Sequence, residues 1–159
     1  MDRFEFQLAM LQKGAEELEK KIAALTQILL QLKTAAITIW VALIGWALTT
    51  KVDSLVPVGY VVILCFWLLE AMYWRVQCYC MIRATALAQY LNNQDALDES
   101  FNTKSIPEGL VFPLQSLKTM KGPSLLKALR APSIYIFYTF LLIVNSILWF
   151  ITLKIAETK

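Results

Sequence analysis

The chain has 159 residues and is 58% apolar, against roughly 45–50% in soluble domains, while 17% of its residues are charged where about 25% is usual. With a mean hydropathy of +0.55, a chain this short cannot hide its apolar surface from water, which points to an all-α membrane protein and excludes intrinsic disorder. The absence of His removes Ser-His-Asp and Cys-His catalysis, His-bound metals and a histidine pH switch, and the net charge of +3 informs only through its distribution.

Residues 1–33 read as a cytoplasmic heptad helix. Phe4, Leu8, Leu11, Ala15, Leu18, Ile22, Leu25, Leu29, Leu32 and Ala36 alternate spacings of four and three, a seam kept for more than four repeats. Lys13, Glu16, Glu17, Glu19, Lys20 and Lys21 fall off the seam and form a solvated face. No Pro interrupts the run, and Gly14 weakens it by about 1 kcal/mol. The helix is expected to continue unbroken into the first span. Such a seam must be covered, either by the continuation of the second span or by seams of other copies. A helical hairpin inside a homo-oligomeric bundle satisfies both, and Leu18, Ile22, Leu25, Leu29 and Leu32 are its candidate oligomer contacts.

Three charge-free stretches follow. Seventeen residues separate Lys33 from Lys51, sixteen separate Asp53 from Glu70, and twenty-three separate Arg130 from Lys154. They predict a transmembrane hairpin over residues 34–92, with spans at about 34–50 and 55–74, and a third transmembrane helix over 132–154. Pro57 and Pro132 suit first helical turns. Beyond Trp74 the second span should continue as helix to Asn92-Asn93, with Val76, Cys80, Leu87 and Leu91 as its apolar stripe.

Between the hairpin and the third span, residues 93–131 read as a cytoplasmic, irregular and basic segment. Pro107, Gly109, Pro113, Gly122 and Pro123 interrupt any long helix, and Pro123 to Arg130 reads as a short amphipathic one. Residues 114–130 carry Lys118, Lys121, Lys127 and Arg130 and no acid. Those four are candidate ligands for anionic lipid at the inner leaflet, or for an anionic regulator such as a nucleotide or short nucleic acid.

Counting Lys and Arg sets the orientation. The N-terminal segment and the stretch between the second and third spans hold 12 of the 15, so both are expected in the cytoplasm and the C-terminus outside. Glu70, deep in the second span, needs a partner. Folding the hairpin about residue 52 brings it level with Lys33, so an ion pair explains it, and a ring of Glu70 side chains along a cation pathway is the functional alternative. Asn145, in the third span, suits an interhelical hydrogen bond or a pore lining. Trp40, Trp46, Trp67, Trp74 and Trp149, with Tyr60, Tyr73, Tyr135 and Tyr138, read as interfacial belts. Cys78 and Cys80 point about 200° apart on a helix, so no zinc site is expected. No nucleophile has a base beside it, so neither an enzyme nor a cofactor is expected.

The segments EELEKKIAALTQILLQLKTAAITIWVALIGWAL and WRVQCYCMIRATALAQYLNN, joined through a short turn and a second span, resemble the SLATT-type small membrane effectors of bacterial nucleotide-signalling and anti-phage defence systems. The resemblance covers residues 16–93, and a third span follows here. It implies an oligomeric, pore-forming effector in the bacterial inner membrane. The implied partner is a nucleotidyltransferase, or another sensor, supplying a nucleotide or nucleic-acid signal, and the implied output is loss of membrane integrity. The alternative is a non-conducting scaffold or assembly subunit that recruits a partner through its N-terminal helix. A small transporter fits less well, because the chain has no internal repeat.

Overall fold

The computed structural model describes residues 2–107, 110 and 122–157, with 53, 156 and 157 described by their backbone alone. Among the described residues five helices follow one another: α1 (Arg3–Thr50), α2 (Val58–Leu91), α3 (Gln94–Thr103), α4 (Leu125–Leu129) and α5 (Pro132–Glu157), with a 3-10 turn at Asp53–Leu55. No strand occurs among the described residues. α1, α2 and α5 are each long and apolar enough to cross a membrane.

The 48 residues of α1 are one uninterrupted helix, as the absence of Pro allows. The hydroxyls of Thr26, Thr34, Thr38 and Thr49 bond back to carbonyls one turn earlier, so these residues sit in the helix without unmet donors. α1 stops in a Schellman closure. Lys51 adopts a left-handed φ of 56°, and the Val52 N–H reaches back to the Ala47 carbonyl at 3.1 Å. Pro57 directly precedes α2 instead of lying inside its first turn.

The chain divides into two compact units, one of residues 1–26 and 76–122, the other of 27–75 and 123–159. The division cuts α1 and α2 at Thr26 and Arg75, not at the hydropathy boundaries, because it follows packing and not polarity.

In the first unit the opening part of α1 lies against the closing part of α2. The Gln77 amide donates to the Thr26 hydroxyl at 2.7 Å, and Phe4 meets Phe101 of α3 edge-on at 5.5 Å. Leu11 is buried and Leu18, Ile22 and Leu25 are half-buried, so one chain covers the seam in part, while Leu8 stays exposed. The stripe on α2 differs from expectation at its ends. Val76 and Leu91 are exposed, while Gln77, Cys80, Ala84 and Leu87 are among the half-buried positions and follow a 3–4 spacing that starts from Gln77.

Part of the segment read as irregular is regular. Asn93 caps α3 by accepting from the Ala96 N–H, Asp95 occupies the first turn, and Lys104 closes the helix in the left-handed region. A good cap and the absence of Pro before residue 107 suffice for ten residues. α4 has Ser124 as its N-cap, inside the short helix expected from Pro123 to Arg130.

In the second unit three seams meet. α1 contributes Ala36, Trp40, Ile44 and Ala47; α2 contributes Gly59, Ile63, Glu70 and Ala71; α5 contributes Ile134, Tyr138, Leu141, Asn145 and Thr152. Side-chain pairings from Lys33–Ser133 to Trp40–Asn145 make α5 parallel to α1, and those from Trp67–Tyr135 to Tyr60–Trp149 make it antiparallel to α2. Trp40, Ile63, Ile134 and Tyr138 are among the large side chains that fill the core that results.

Candidate functional site

The seams of the second unit carry polar residues at heptad positions, so the fold forces them inward together. Lys33 Nζ lies 3.4 Å from Glu70 Oε1, 3.4 Å from the Ser133 carbonyl and 5.6 Å from the centre of the Phe137 ring. Glu70 is 1% exposed, whereas the Lys33 side chain keeps 29% of its surface. Tyr138, fully buried, stands beside Glu70 and under Trp67, whose ring stacks on it at 6.0 Å with a 12° tilt. Glu70 Oε2 and the Tyr138 hydroxyl are the buried side-chain atoms without a hydrogen-bond partner among the described residues. A carboxylate is thus paired on one oxygen only.

A second cluster lies nearer the α1–α2 turn. Asn145 Oδ1 accepts from Trp40 Nε1 at 2.9 Å, and its amide donates to the Val56 carbonyl at 3.4 Å. This close fit requires Gly59, since an added Cβ would collide with Asn145 Oδ1 and stand 3.1 Å from its Cγ. Next to it, the Tyr60 hydroxyl donates to Ser146 Oγ at 2.8 Å, and Ser146 donates on to the Leu142 carbonyl.

The pairing of Lys33 with Glu70 and the bonding of Asn145 engage these side chains inside one chain. Three belt residues are core residues instead. Trp40 is buried on Asn145, Tyr138 is buried beside Glu70, and Trp67 donates to the Leu129 carbonyl at 3.2 Å. Their rings pack apolar and their polar ends find partners or neighbours inside, which interfacial placement does not require. Trp46, Tyr73, Tyr135 and Trp149 are exposed. Leu29 and Leu32 are half-buried. Lys127 and Arg130 are both exposed at α4, whereas Lys118 and Lys121 lie outside the described residues. The described residues include no group of His, Cys, Asp or Glu able to hold a metal.

Sequence reasoning missed the outward face of α1. Gln27, Gln31, Thr34, Thr38, Ala42, Gly45 and Thr49 are all exposed, follow spacings of three and four, and lie opposite the buried face. Large apolar residues, among them Ile37, Val41 and Leu48 on one side and Ile39 and Trp46 on the other, flank this stripe. The outward side of α2 is different. From Val58 to Trp74 its exposed residues are Val58, Val61, Leu64, Cys65, Leu68, Leu69, Met72 and Tyr73. α5 exposes mainly Ile136, Phe140, Ile143, Ile147 and Phe150. The signal was legible as a 3–4 pattern of Gln and Thr offset half a turn from the apolar seam.

Compared with protein-family models, with curated proteins and with solved structures, the chain matches none.

Proposed function

We propose that the chain is a three-span protein of the bacterial inner membrane, with residues 1–33 and 75–131 in the cytoplasm, and that several copies assemble into a conducting pathway lined by α1. The basic residues support the orientation. One observation carries the conducting role: α1 turns a polar, small-residue stripe outward at membrane depth, where α2 and α5 turn aliphatic and aromatic side chains. Thr34, Thr38, Ala42, Gly45 and Thr49 carry the stripe through the span, where small residues let water or a second helix come close to the backbone, and Gln27 and Gln31 continue it on the cytoplasmic side. Apolar side chains fill the core among α1, α2 and α5, which supports a pathway formed between copies and not inside one chain. Because Glu70 and Asn145 are engaged internally, the stripe takes over the lining role that sequence alone offered to them. In this reading the chain is the effector of a defence system, opened by a nucleotide or nucleic-acid signal from a partner enzyme, in keeping with its resemblance to SLATT-type proteins.

The test is reagent block of ion flux in liposomes, starting from a background in which Cys65, Cys78 and Cys80 are Ser. A charged thiol reagent should block flux through Thr38→Cys and leave Val61→Cys untouched. Equal insensitivity of both variants in a conducting preparation overturns the lining, and absence of flux from the assembled protein favours the scaffold.

A further inference from the structure

An open cleft of about 420 Å³ sits at the α4 corner of the second unit, lined by Trp74, Ser124, Leu126, Lys127, Arg130, Ala131 and Pro132. We infer that this cleft binds the headgroup of an anionic phospholipid from the inner leaflet. The leaflet assignment rests on the orientation proposed above; the chemistry rests on the cleft itself.

Two side chains of α2 hold the corner in place. Arg75 Nε donates to the Pro123 carbonyl at 3.1 Å and Trp67 Nε1 to the Leu129 carbonyl at 3.2 Å, so α4 is pinned on both sides of Trp74. Ser124 Oγ accepts from the Lys127 N–H, which leaves its own proton available to a ligand oxygen. The Lys127 ammonium and the Arg130 guanidinium have no ion-pair partner among the described residues. Two cations and a hydroxyl suit one phosphodiester, and an indole beside them suits the headgroup depth.

The apolar part of the corner decides the source of that phosphate. Leu126 is 69% exposed and Leu125 38% exposed, one turn ahead of the apolar α5. In water these leucines are a liability, whereas against acyl chains they are covered. The apolar lining offers a purine or pyrimidine base few polar contacts, which disfavours a soluble nucleotide. Basic clusters at the cytoplasmic end of a span gain a factor of about five per Lys or Arg from anionic lipid.

Native mass spectrometry of the purified, delipidated full chain tests this, with phosphatidylglycerol and phosphatidylcholine of identical acyl chains offered together. The wild type should retain phosphatidylglycerol preferentially. Lys127→Gln with Arg130→Gln should lower that preference about 25-fold, the product of two such factors. Trp74→Ala should lower retention with the charge unchanged. Lys20→Gln with Lys21→Gln, two exposed charges far along the sequence, should leave the preference as it is. Equal retention of the two lipids by wild type, or an unchanged preference in the Lys127/Arg130 variant, overturns the site. Displacement of the lipid by glycerol 3-phosphate or by ATP at equal concentration assigns the cleft to a soluble phosphate or a nucleotide and overturns the lipid. None of these readouts involves conduction, so a failure here and a failure of the pathway are separate results.

Discussion

The two polar clusters of the α1–α2–α5 bundle share a setting and differ in what they leave unmet. At Asn145 both ends of the amide are engaged, by Trp40 and by the Val56 carbonyl, and all groups are neutral. At Glu70 a carboxylate meets one ammonium, while Oε2 and the Tyr138 hydroxyl lack hydrogen-bond partners among the described residues. The first arrangement fixes one packing of three elements. The second keeps a carboxyl group in the core with one ion-pair contact at 3.4 Å, so Lys33 is its one charged partner among the described residues.

The largest effect should come from breaking that contact. Lys33→Ala strands a buried carboxylate and should cost about 3–5 kcal/mol in equilibrium unfolding in micelles. Glu70→Gln should cost about 1 kcal/mol, because the half-buried Lys33 can turn its ammonium to water. Equal losses in the two variants would remove the asymmetry on which the comparison stands.

Gly59→Ala is next. The methyl has no room beside Asn145, so stability should fall by about 1–3 kcal/mol, and Asn145→Ala in the same chain should recover part of it. Additive losses would mean that the two residues do not share the space.

The smallest effects separate the clusters most finely. Asn145→Ala leaves the Trp40 N–H unpaired and removes one of the two donors to the Val56 carbonyl, which keeps the Gly59 N–H, and should cost about 1–2 kcal/mol. Tyr138→Phe removes a hydroxyl without a hydrogen-bond partner among the described residues and should stay within about 0.5 kcal/mol of wild type. A loss at Tyr138 equal to that at Asn145 would show the hydroxyl donating to Glu70 and erase the distinction.

Much of the helical framework was legible because it depends on periodicity and on missing charges. The Lys33–Glu70 level followed from counting residues on either side of a tight turn, and the end of α2 from Asn92-Asn93. The inward placement of Trp40 and Tyr138 was not seen, since Trp and Tyr suit an interface as well as a core. Register settles which, and both lie on seams, Trp40 four residues after Ala36 and Tyr138 four after Ile134. α3 was missed because nearby Pro and Gly outweighed a local Asn cap. The polar stripe of α1 was missed because Thr and Gln do not interrupt a hydropathy run.

The bond from Asn145 to the Val56 carbonyl sets an order in time. Synthesis proceeds from the N-terminus, so α1 and α2 exist before α5 does. In that interval Lys33 and Glu70 already have each other, but the Trp40 N–H and the Val56 carbonyl have no Asn145 to meet. A nascent hairpin therefore has its ion pair and still lacks an acceptor for the Trp40 N–H, with the Val56 carbonyl held by the Gly59 N–H alone and an opening beside Gly59 that the third span fills. Arrival of α5 closes both at once, and a chain halted before Pro132 keeps them open to whatever insertion or quality-control factor surveys half-made membrane proteins.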